Sequence, residues 1–142
     1  MALSPGESPG FLLWHATLRW QREVSAALTP LDLTHVQFVL LACAWWLNGQ
    51  GEHPNQLTLA RQAGTDVKMT SQVLRALERK GLVEREVDPV DTRAKRLRVT
   101  AAGAELAPRA VAAVEEADAH FFRTVPLDDA MPLLRRLARP QE

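Results

Sequence analysis

The chain has a single cysteine and no tyrosine, and its longest apolar run, 38–47, is ten residues long. A lone Cys43 excludes an intramolecular disulfide, and a reducing cytoplasm is the simplest setting. The apolar run is too short to span a bilayer and has no flanking signal-peptide pattern, so no membrane partner is expected. There is no Gly-rich phosphate loop and no Gly-x-Ser-x-Gly turn. The paired acids Glu115-Glu116 and Asp128-Asp129 have no basic partner nearby. No catalytic residues are therefore assigned, and no enzyme is expected. His15, His35, His53 and His120 are too scattered to form a metal motif, so neither metal nor cofactor is expected.

Net charge is also missing: 17 basic residues balance 17 acidic ones. The distribution is uneven. From Arg61 to Arg98 ten cations face six acids, a local excess of +4, and the remaining chain carries −4. A cationic centre between acidic ends is a local electrostatic footprint rather than a polycation.

What the chain does have is helical periodicity with clear punctuation. Residues 1–10, rich in Ser, Pro and Gly, read as a flexible leader, and 11–142 as one domain. A helix is expected over 11–28, apolar around more than half its girth, which suggests a second contact surface. Thr34 caps a nearly all-apolar core helix over 35–47, and 48–51 ends it, with 52–54 as loop. Asn55 caps a short helix to Ala63, with Leu57, Leu59 and Ala60 turned inward. After Gly64, Thr65 or Asp66 caps a helix over 67–80, which Gly81 closes. Two short helices across a tight Gly-containing turn make a helix-turn-helix. Strands at 82–87 and 96–100 flank a charged loop, a hairpin placed as a wing. A long helix follows from Ala101 to about Phe122, irregular or kinked at Pro108. A last short helix over 127–137 carries Met131, Leu133, Leu134 and Leu137. The expected class is mainly α with a small β-hairpin.

A helix beside a cation-bearing wing suits a DNA major groove and the adjacent backbone or minor groove. At this point the chain resembles the MarR family of bacterial transcriptional regulators. The residues that carry the match are 33–38, Leu59-Ala60, and 77–83. The strongest piece is Asp88-Pro89-Val90-Asp91-Thr92-Arg93, continuing through 97–103. These cover about the middle half of the chain, and the order of elements extends the match to nearly all of it. The resemblance implies a winged helix-turn-helix over 31–100, with dimerisation helices at 11–28 and 101–138 from two copies intertwined. It implies a homodimer on a near-palindromic double-stranded operator, repression as the commoner outcome, and a small effector near the lobe–dimer junction.

On the 67–80 helix, Thr70, Val73, Leu74 and Leu77 share the core face, while Lys68, Met69, Gln72 and Arg75 lie opposite or beside it. Gln72 suits adenine, Met69 a thymine methyl (or packing on the preceding helix), and Lys68 guanine or phosphate. Ser71 and Thr65 are expected as phosphate ligands near the positive helix end. Arg93 matches the family's Asp-x-Arg motif and suits a narrow minor groove, with Asp91 holding it or the turn. Lys95 and Arg96 are expected to add phosphate contacts, and Arg98 either does so or pairs with Glu84 or Glu86. Trp14, Trp20, Trp45 and Trp46, with His15, fit either an aromatic effector pocket or the core. Cys43, in an apolar helix, is not expected to sense oxidants. The competing reading is a winged protein-interaction module without base reading, which would not need so many cations on one helix and wing.

Overall fold

Ser8 and Pro9 start the first long helix earlier than the sequence suggests. Ser8 Oγ accepts from the Phe11 N–H at 3.3 Å, and a proline in the first turn has no N–H to lose, so α1 runs Pro9–Leu28. In the computed structural model, which describes residues 4–139, a 3-10 turn at Pro5–Glu7 precedes it. Of the leader expected over 1–10, Pro5–Glu7 form this turn and Pro9 and Gly10 open α1, while residues 1–3 lie outside the described span.

A second 3-10 turn, Thr29–Leu31, leads to α2 (His35–Gly49). Here Thr34 and Gln37 cap each other reciprocally, side chain to backbone N–H, both at 3.2 Å. Asn55 caps α3 (Gln56–Ala63), and Gly64 closes it at φ 74°, a backbone conformation that excludes most side chains. Asp66 then caps α4 (Val67–Arg79). Strand β1 (Val83–Val87) pairs antiparallel with β2 (Lys95–Val99), with Arg85 opposite Leu97. The stretch expected as loop before α3 does more: Pro54 O accepts the Leu97 N–H at 2.8 Å and Asn55 bridges Arg96, a one-residue third strand. Asn48, expected only to stop α2, donates to Glu52 O and Leu97 O and accepts from Val99 N–H, fixing the wing's base to α2.

Helix α5 (Ala101–Phe121) runs through Pro108, where a kink or an irregular first turn is expected. Proline removes the N–H that would reach the Ala104 carbonyl, but both residues are exposed and water can replace the bond. Helix α6 (Leu127–Ala138) ends the described chain.

The core is built from Leu40, Leu41, Ala44 and Leu47 of α2, against Leu59, Leu74, Leu77, Leu82, Val83 and Leu97 of the wing and helix-turn-helix. Val24 and Leu28 of α1 and Ala107, Ala110 and Val114 of α5 extend it. Leu57, expected inward, is 46% exposed because it lies two residues, about 200° around the helix, from the fully buried Leu59. Gly103 is the tightest seam. A Cβ there would lie 2.1 Å from the Leu82 carbonyl oxygen, which already accepts the Thr100 N–H, so α5 packs flush on the turn into β1. Among the described residues no single helix is long and apolar enough to cross a membrane.

Candidate nucleic-acid interface

Helix α4 has one buried face, Thr70, Leu74 and Leu77, with Val73 half-buried beside it. Lys68, Met69, Gln72 and Arg75 are all exposed on the other side, and Ser71 is half-buried at the margin. Met69 is 43% exposed, which separates it from the packing role against α3. Lys68 and Arg75 have no ion-pair partner among the described residues.

Thr65 does not belong to this group. Thr70 Oγ1 donates its one proton to Asp66 O at 2.7 Å, so the 2.6 Å contact between the two hydroxyls makes Thr65 the donor to Thr70. The Thr65 N–H is likewise committed, to Ala60 O at 3.0 Å. With both donors used inside the turn, Thr65 has none left for a phosphate. The positive end of α4 is also partly answered, since the Asp66 carboxylate accepts from Met69 N–H at 2.8 Å.

The wing turn is built by two aspartates. Asp88 Oδ1 accepts from the N–H groups of Val90 (2.8 Å) and Asp91 (3.1 Å), and these bonds hold its carboxyl below the usual carboxylate range. Asp91 Oδ1 accepts from Arg93 N–H at 3.1 Å and faces its Nε at 3.4 Å. Arg93 itself projects from the tip with its side chain 92% exposed. On the hairpin's outer face Arg96 Nε lies 3.3 Å from Glu86, and Arg98 pairs with both Glu84 and Glu86, which raises its already high pKa further. Arg98 thus resolves to a cross-strand pair, and Arg96 is committed to one as well. Lys95 is exposed with no ion pair among the described residues.

The tryptophans do not gather. Trp14 and Trp46 are exposed, Trp45 packs on the core, and His15 stacks edge-on against Phe11 with ring centres 4.6 Å apart. Only Trp20 joins a polar seam, one that leaves no periodic signal in the sequence. Its Nε1–H donates to Asp118 Oδ1 at 2.7 Å, its ring meets His35 edge-on at 5.0 Å, and nearby Glu23 faces His120 Nδ1 at 3.0 Å. Burial lowers the His35 pKa, with Asp118 opposing. Burial also raises the Cys43 thiol, which keeps it out of the reactive thiolate form.

Two hollows flank this seam. One, about 480 Å³, lies where Gln21 and Ser25 of α1, His35 and Val39 of α2 and Thr65 of the helix turn converge. The other, about 670 Å³, is apolar and lies between α1, α5 and α6, lined by Leu13, Trp20, Phe121, Phe122, Met131 and Leu134.

Recognition helix, hairpin and flanking helices in this order define a winged helix-turn-helix protein. Residues 33–95 match the MarR family model. The chain is 47% identical over 118 residues to the uncharacterized HTH-type transcriptional regulator YdcH of Bacillus subtilis, covering 83% of this chain and 80% of that protein. It is 34% identical to the HTH-type transcriptional repressor Rv2887 of Mycobacterium tuberculosis, over 100% of this chain and 91% of that one. CouR of Rhodococcus jostii RHA1 bound to p-coumaroyl-CoA superposes with a TM-score of 0.84 at 28% identity, covering 99% of each chain. CouR bound to a 23-mer DNA duplex superposes at 0.81, also at 28% identity and covering 97% of each. The chain belongs to the MarR family of transcriptional regulators.

Proposed function

We propose that the protein is a homodimeric, sequence-specific DNA-binding repressor of the cytoplasm, released from its operator by a small aromatic ligand, and that it carries no catalytic activity. The observation that carries this reading is the pairing of two exposed elements. Lys68, Met69, Gln72 and Arg75 stand clear on α4, and Arg93 stands clear at the wing tip. Gln72 and Met69 supply base-edge chemistry, adenine and the thymine methyl respectively, while Lys68, Ser71, Arg75 and Lys95 meet phosphates. Arg93 enters the minor groove. Arg96 adds charge to the field but is spoken for by Glu86. A protein-interaction lobe has no use for unpaired cations on both helix and wing, so it is the weaker reading.

The dimer follows from surface that one chain leaves uncovered: Phe11, Leu12, Leu13 and Trp14 on α1, and Leu133, Leu134 and Leu137 on α6. That CouR is solved with p-coumaroyl-CoA, and Rv2887 with salicylic acid, supports an aromatic acid or its thioester as ligand class. The hollow between α1, α2 and the helix turn is its proposed seat, because a molecule there touches lobe and stalk together. The decisive experiment is a gel shift on the chain's own promoter region at two salt concentrations. Binding that weakens steeply with salt and resists competitor DNA is expected; salt-independent or absent binding refutes the reading. Tryptophan fluorescence across a panel of aromatic acids tests the ligand, since Trp20 touches His35 at the hollow's edge.

A further inference from the structure

The hairpin's inner face carries two cations, Lys95 at its exposed end and Arg85 in its middle. Val83, Leu97 and Val99 turn toward the core, and Arg85, directly opposite Leu97, sits on that same face where an apolar residue belongs. Its side chain is only 24% exposed. The guanidinium reaches two helices. Nε lies 2.5 Å from Glu78 Oε1 in the last turn of α4, and Nη1 lies 3.4 Å from Gln56 Oε1 in the first turn of α3. Gln56 Nε2 in turn donates to Val67 O, the first residue of α4, at 3.4 Å. One side chain on the wing thus addresses both ends of α4, about 18 Å apart at 1.5 Å per residue. Its Nη2 is out of solvent contact and has no hydrogen-bond partner among the described residues.

Stability does not explain such a group. A half-buried cation with an unpaired N–H group out of solvent is commonly matched or bettered by an apolar side chain of similar volume. Geometry explains it: the planar fork ties β1 to α3 and α4 at fixed angles, which a round ammonium or a methyl cannot do. We propose that Arg85 is a positioning residue for DNA recognition, setting the angle between wing and α4 so that Arg93 and Gln72 engage their grooves together. This rests on the operator-binding reading above, with Arg85 touching no DNA itself.

The test uses the full chain in a Cys43→Ala background, spin-labelled through Gln72→Cys and Val90→Cys and diluted with unlabelled chain. Arg85→Met is expected to leave the melting temperature unchanged or higher while broadening the label-to-label distance distribution. On unlabelled protein it should weaken operator binding about tenfold and erase minor-groove protection at the wing, with major-groove protection by α4 kept. Arg85→Lys, which keeps the charge near Glu78 but loses the fork, should fall between, and it serves if the methionine variant does not fold. An unchanged distance distribution overturns the proposal, as does an affinity loss that merely tracks a lower melting temperature. If the distribution broadens but the unsubstituted protein binds no operator, the bracing role stands and the DNA reading fails.

Discussion

The lobe and the stalk of this chain treat apolar surface in opposite ways. From α2 to β2 the leucines, Leu57 apart, close on one another: Leu40, Leu41, Leu59, Leu74, Leu77 and Leu97 are all buried. At the two ends the pattern reverses. The first turns of α1 leave Phe11 to Trp14 in solvent, and α6 makes little contact with any other element, burying only Ala130. One core runs through the lobe into α1 and α5, and the two ends of the chain add apolar faces that it does not cover. The difference teaches that the lobe folds for itself and the ends fold for a partner, which is why a second copy is the natural complement.

The largest effect should come from breaking the stalk alone. Leu133→Asp combined with Leu137→Asp places two charges in the proposed interface but none in the lobe. Light scattering should then report a monomer, and operator affinity should fall about a hundredfold or more, because two linked lobes bind far better than one. A variant that stays dimeric sinks the assignment of α6 to the interface. The converse substitution attacks the join. Gly103→Ala pushes a methyl into the Leu82 carbonyl, where only backbone can move, and should cost about 1–3 kcal/mol of stability. Calorimetry checks it, and an unaltered melting temperature would show that α5 can lift from the β1 turn without penalty.

These two regions were not equally legible in the sequence. The lobe was readable because its signals are local: Thr34, Asn55 and Asp66 cap their helices, Gly64 and Gly81 close them, and the strands alternate. The Asp88–Arg93 turn declared itself by residue type. What escaped depends on which partners the fold turns toward a side chain, near or far in sequence. Thr65 looks like a free hydroxyl until Thr70 and Ala60 are found to consume its donors. Arg85 looks like any strand cation until Glu78 and Gln56 close around it. The four tryptophans share a composition, not a place, and Asp118 as the partner of Trp20 lies 98 residues away. Leu57 fails for a different reason, since an eight-residue helix has too few turns for its face to be read from period alone.

Within the lobe the comparison narrows to helix against wing. Arg93→Ala removes the exposed guanidinium at the tip and touches no core residue. Operator affinity should drop about tenfold, and the salt slope should flatten by about one, with the melting temperature unchanged. Unchanged affinity would remove Arg93 from the interface. Gln72→Ala should instead relax discrimination at one or two base pairs by about 1–3 kcal/mol, with the salt slope preserved. If both variants lose affinity uniformly over all sequences, α4 does not read bases.

The smallest effect sharpens the boundary between lobe and stalk. His35 opens α2, yet its ring packs against Trp20 of α1 and faces Asp118 of α5, with the Glu23–His120 pair beside them. Burial lowers its pKa and Asp118 only partly offsets this, so the folded protein takes up this proton less readily than the unfolded chain does. The stability contribution is therefore fully present above the unfolded imidazole value of about 6.5 and is lost as pH falls from there through the lower folded value. His35→Gln abolishes that term while keeping a polar side chain at the seam. Melting temperatures followed from pH 7.5 to 5 should decline less steeply for the variant than for the unsubstituted protein. Parallel declines would show the α1–α2 seam to be indifferent to protons.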